Sequence, residues 1–167
     1  MRTVLAFLLA AFLAPSAAAR GPSAQSTCPF TSLDTQSFGA GTGVCADSVL
    51  TAALEVDRCA IDFAFAAEPV SCGNVFLTQT FLLAAPDPLA SPVPLPAPFV
   101  AGSRLFVAPT RVFGPFRGAT ASLLVPPDAA LLGQSLTFQS VPFFFSTIPH
   151  PGQTDLGAST GLRVTLR

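Results

Sequence analysis

Alternation of apolar and polar residues constrains this chain more than any other feature. In "GLRVTLR", Leu162, Val164 and Leu166 fall on one side and Arg163, Thr165 and Arg167 on the other. Successive side chains of an extended strand point to opposite faces, so this pattern describes a strand with one buried face. "CAIDFAFA" repeats it, setting Ile61, Phe63 and Phe65 against Ala60, Asp62 and Ala64. In "NVFLTQTFLL", Val75, Leu77, Phe81 and Leu83 share a face, with Gln79 as the exception. Further strands are expected at 49–56, 104–107, 119–125 and 136–144, punctuated by Gly and Pro. No amphipathic helix is visible. "PPDAALLG" offers one short turn, which Asp128 can cap and Gly133 can end in a left-handed conformation.

Many short strands and almost no helix predict an all-β fold: one antiparallel β-sandwich, jelly-roll or immunoglobulin-like. The Pro-rich stretch at 85–98, "APDPLASPVPLPAP", reads as an extended crossing over the surface, because proline cannot donate to a sheet ladder. As a linker it would leave about 70 residues on each side, little for two independent cores, so a long crossing inside one sandwich is the better reading. A closed membrane barrel would carry Trp and Tyr girdles, and the chain has neither residue.

The first 19 residues have the form of a secretory signal peptide. Arg2 supplies the positive start, residues 4–14 an apolar run too short to span a bilayer, and Ala17-Ala18-Ala19 a cleavage site. The mature domain would be residues 20–167, without a transmembrane segment, and the location secreted, periplasmic or cell-surface. Cys28 follows "AQST", which is no lipobox.

Charge narrows the partners. The net charge is −1 and only 10% of residues are charged, with no Lys at all. Such a surface lacks the basic stripe that nucleic acid or anionic membranes need. With 50% hydrophobic residues, it leaves apolar area open to neighbours.

Cys28, Cys45, Cys59 and Cys72 contain no C-x-x-C, and His150, the only histidine, lies far off. Zinc is therefore disfavoured and two disulfides are expected. Four cysteines allow three connectivities. The favoured one is sequential, Cys28–Cys45 and Cys59–Cys72, closing two loops worth about 3 kcal/mol each.

Four constellations invite chemistry. His150, Asp155 and Ser159 lie close together, with Ser159 inside a literal G-x-S-x-G. A nucleophile elbow needs a helix after its serine, and here a strand follows, so a turn-rich loop is expected instead. "FGAGTGVC" at 38–45 lacks the Lys-Ser/Thr of a phosphate loop and reads as tight turns near a disulfide. Glu55, Asp57, Asp62 and Glu68 cluster, with Glu55 and Asp57 expected on one strand face. Calcium or paired catalytic carboxylates need such oxygens, but a solvated face needs them equally. In "VPFFFSTIP", alternation sends Phe143 and Phe145 one way and Phe144 the other, so these three rings include a candidate contact surface.

With "VPPDAALLGQSLTFQSV" followed by "LGASTGLRVTL", the C-terminal half resembles an uncharacterised secreted β-rich domain family common in planctomycetes and related GC-rich bacteria. Its pattern falls here on Pro127, Asp128, Leu131 or Leu132, Gly133, Gln139, Ser159 and Gly161, and its Gly-rich opening on 38–45. The resemblance covers roughly 38–167 and implies a secreted β-sandwich without assigned catalytic residues. The chain departs from it in lacking a Trp near the Gln-bearing strand. Arg104 also stands where a cysteine is often found, which unsettles the second disulfide.

The function expected is that of an exported, non-catalytic structural or interaction module, with no cofactor and no metal. Its partner would be an envelope or matrix protein or a polysaccharide. The alternative is a carbohydrate-binding module using Phe144 or Phe145. A hydrolase built on the C-terminal loop ranks third.

Overall fold

The computed structural model describes residues 28–43, 48–67, 71–72, 75–146 and 153–167. The leader at 1–19, Cys45, Glu68 and His150 lie outside them. Among the described residues twelve strands run in order, all ladders antiparallel: β1 (Leu33–Phe38), β2 (Ser48–Glu55), β3 (Ala60–Ala67), β4 (Ser71–Cys72), β5 (Val75–Ala85), β6 (Val93–Pro94), β7 (Arg104–Leu105), β8 (Arg111–Arg117), β9 (Thr120–Leu124), β10 (Ser135–Ser146), β11 (Gln153–Leu156) and β12 (Gly161–Leu166). They form a seven-stranded sheet with the path β1-β12-β10-β5-β4, to which β8 and β11 add, and a three-stranded sheet β2-β3-β9. A small β6-β7 ladder stands apart.

The two larger sheets pack face to face, as the alternation requires. Leu50, Ile61, Phe63, Phe65 and Ala121 of the three-stranded sheet meet Leu82, Ala84, Phe138, Leu162, Val164 and Leu166 of the seven-stranded one. Phe63 and Phe138 lie at the centre, ring centroids 4.8 Å apart. Each fully buried ring of this kind contributes on the order of 1.5–3 kcal/mol. Leu131 plugs one end of this core from the short 3-10 turn Ala129–Leu131. That turn forms as its sequence dictates: Asp128 Oδ1 accepts from the Ala130 N–H at 2.9 Å. Gly133 follows with φ +75°, a left-handed conformation that costs a glycine little.

One face assignment is inverted. Phe81 and Leu83 do share a face of β5, but Leu82 and Ala84 are the residues in the inter-sheet core. The outer face can be apolar because a third layer covers it. The crossing between β5 and β8, residues 86–110, folds back with the β6-β7 ladder and lays Phe106 and Val107 against Ala85 and Phe38. The Pro-rich stretch thus crosses inside one sandwich, and of its prolines only Pro94 enters a ladder, the two-residue β6.

The cysteine pairing differs from the sequential one. Cys28 is bonded to Cys59, Cα atoms 5.2 Å apart, which excludes both Cys28–Cys45 and Cys59–Cys72. Loop length did not decide the partner; packing did. Phe30 is fully buried, and the Thr31 N–H donates to the Arg167 carbonyl at 2.7 Å. Those contacts fix the N-terminal arm beside the β2-β3 turn, where Cys59 sits with φ 50°. Cys45 and the side chain of Cys72 lie outside the described residues.

Candidate functional site

The segment entering β12 is a buried polar knot. Ser159 is fully buried; its N–H donates to the Ser140 carbonyl at 2.9 Å, and its Oγ accepts from the Ser140 N–H at 2.8 Å. The Ser159 hydroxyl proton goes to the Thr160 carbonyl at 2.7 Å. Gln139, also fully buried, donates from Nε2 to the Ser159 carbonyl at 3.0 Å and to the Arg104 carbonyl at 2.8 Å. Its Oε1 accepts from the Phe106 N–H at 2.8 Å. Buried backbone groups must find partners, and Gln139 serves three belonging to two different segments.

The knot extends to the Gly-rich opening. Thr42 and Ala158 exchange backbone hydrogen bonds at 2.7 and 2.9 Å, and the Thr160 N–H donates to the Ser48 carbonyl at 3.0 Å. Gly41 lies so close to Ser48 that a Cβ would collide with its carbonyl oxygen. The glycines here serve close backbone approach rather than a phosphate. The Ser-x-Gly loop therefore binds β10, β2, the Gly-rich opening and the crossing layer into one unit. Ser159 Oγ has no solvent access, and its proton is held by a backbone carbonyl, which cannot serve as a general base. Asp155 stands in β11 opposite Phe144.

The acidic cluster separates as well. β2 ends at Glu55, and Asp57 belongs to the 3-10 turn Val56–Arg58, so the two do not share a strand face. A Glu55-to-Arg58 turn is forced because the chain must reverse into β3. Asp62 pairs instead with Arg58, Nη2 to Oδ2 at 3.0 Å. Among the described residues no three His, Cys, Asp or Glu side chains group as metal ligands do.

The three phenylalanines have three environments. A register shift in the β10-β5 ladder falls between Phe143 and Phe144. The residue left over is Thr78 of β5, so β10 keeps its alternation, with Phe143 and Phe145 on one face and Phe144 on the other. Phe144 is 3% exposed and Phe145 38%. Phe143 packs on Phe81 with centroids 5.3 Å apart. Phe144 thus belongs to the interior and offers no face to a ligand.

The open feature lies elsewhere, on the outward face of the three-stranded sheet. With Ile61, Phe63 and Phe65 turned inward, alternation turns Asp62 and Ala64 outward. Register then sets two rows: Thr51, Ala64 and Thr120, followed by Ala53, Asp62 and Ser122. Among the described residues no further layer covers them, and a cleft of about 660 Å³ lies over these rows and reaches Phe116 and Arg117 at the end of β8. That volume falls within the about 300–1,000 Å³ usual for ligand sites. Its floor is made of methyl groups and hydroxyls, and its charges are the Arg58–Asp62 pair and Arg117. The alternation in "CAIDFAFA" contained this face; that β9 would complete it was not legible without the register.

No protein-family model, curated protein or solved structure matches this chain.

Proposed function

We propose that this chain is an exported, non-catalytic interaction module of the cell surface or extracellular matrix, and that the uncovered face of its three-stranded sheet is the contact surface. The cleft over Thr51, Ala64, Asp62 and Ser122 carries this reading. The rest of the molecule is organised as support. One sheet face packs in the core, the other is covered by the crossing layer, and the Gln139–Ser159 knot locks the layers together.

Export is supported by the leader-like residues 1–19 and by the Cys28–Cys59 disulfide, a bond that persists in oxidising compartments. Among the described residues no helix is long and apolar enough to cross a membrane. The carbohydrate-binding alternative gains from the hydroxyl-lined floor, although through this cleft rather than through Phe144.

The test is co-sedimentation of the mature chain with isolated cell-surface material. Ala64→Trp fills the cleft from an outward position and should abolish co-sedimentation with the unfolding midpoint unchanged. Phe145→Ala should leave it intact. Undiminished co-sedimentation of folded Ala64→Trp would refute the assignment.

A further inference from the structure

The cleft combines three chemistries that one ligand class matches. Adjacent strands lie about 4.8 Å apart and residues two apart along a strand about 7 Å. The row from Thr51 to Thr120 therefore spans about 10 Å, with only the Ala64 methyl between its hydroxyls. One row further, Asp62 stands between Ala53 and Ser122. The result is a shallow trough, flat enough for a ring and edged by hydroxyls that both donate and accept.

The second element is the Arg58–Asp62 pair. Its side chains remain 56% and 40% exposed, so both still have hydrogen-bonding capacity toward solvent. A carboxylate accepts from neighbouring hydroxyls while a guanidinium donates to them, which suits vicinal diols. The third element is Arg117, exposed and without an ion pair among the described residues. Arg58 and Asp62 cancel, so the cleft holds one spare positive charge on a chain whose net charge is −1. That cation is local; it does not belong to a basic surface of the kind that attracts nucleic acid. An acidic peptide would need pockets for its side chains, and beside the ring of Phe116 and the charges already named this trough offers only Ala, Thr and Ser.

We infer that the cleft binds a polysaccharide bearing carboxylates, its ring hydroxyls lying on Asp62, Thr51, Thr120 and Ser122 and a carboxylate reaching Arg117. This inference rests on the reading of the cleft as the contact surface and adds the ligand class.

Affinity electrophoresis of the mature chain tests it, with polygalacturonate, alginate and fully methyl-esterified polygalacturonate in the gel. The two polyuronates should retard the protein and the ester should not. Arg117→Gln should weaken retardation about two- to five-fold, the upper half of the range for one solvent-exposed charge pair. Ala64→Trp should abolish it, both variants keeping the wild-type urea midpoint. Equal retardation by the ester, or an unaffected Arg117→Gln, overturns the inference. If no polymer retards the chain while Ala64→Trp still abolishes co-sedimentation, the ligand class is wrong and the contact surface stands. If Ala64→Trp affects neither readout, both fall.

Discussion

Gln139→Leu removes the centre of the polar knot while nearly preserving its volume. Three backbone groups lose their partner: the Phe106 N–H and the carbonyls of Arg104 and Ser159. The site is closed to bulk solvent, since Gln139 and Ser159 are both fully buried. A buried group left unsatisfied costs about 1–3 kcal/mol, with carbonyls toward the lower end because orphaned carbonyls are the better tolerated. The three together cost about 4–6 kcal/mol, and the apolar gain of leucine offsets about 1–2 of that. A net loss of about 2–5 kcal/mol follows, a large share of the about 5–15 kcal/mol available to such a domain. Urea unfolding of the disulfide-intact mature chain measures it, as a lower midpoint at an unchanged slope. Ser159→Ala should cost about 1–3 kcal/mol, and the double variant less than the sum, because both act on the Ser159 segment. A loss below about 1 kcal/mol for Gln139→Leu would refute the view that this glutamine joins the layers.

Non-reducing peptide mapping should recover a Cys28–Cys59 link and no Cys28–Cys45 link; with a sequence separation of 31, Cys28→Ser should lower stability by about 3.7 kcal/mol in the chain-entropy model. The adjacent phenylalanines should separate sharply: Phe144→Ala, at 3% exposure, should cost about 3–5 kcal/mol, and Phe145→Ala, at 38%, about 1. Gly41→Ala should destabilise by about 1–3 kcal/mol, read from the same urea midpoints, because a Cβ there meets the Ser48 carbonyl.

The fold class was legible because alternation survives wherever one sheet face is buried. "GLRVTLR" and "CAIDFAFA" became β12 and β3 with the expected residues inward. Turn chemistry was legible for the same local reason, as Asp128 and Gly133 show. What failed depended on contacts distant in sequence. β5 is apolar on both faces because the 86–110 crossing covers the second, and no periodicity within β5 indicates which face meets which layer. β1, "LDTQSF", is an edge strand whose central four residues are exposed, so its sequence carries no buried face to detect. The disulfide partner was set by the arm at Phe30, invisible to loop-length arithmetic. For the site, Ser159 was correctly read as part of a loop leading into the last strand. Its role in the knot needed Gln139, Ser140 and Thr160 in space. The cleft was the least legible feature, because Ala and Thr on an open strand face look like any solvated surface until β9 is placed beside β3.

Hydrogen–deuterium exchange of the mature chain, alone and bound to cell-surface material, tests the central claim most directly. The account predicts slowed exchange in peptides covering 48–55, 60–64 and 117–124, with 135–146 and 155–162 unchanged. Protection confined to the segments around Phe145 or Ser159, with the three-stranded sheet unaffected, would contradict it.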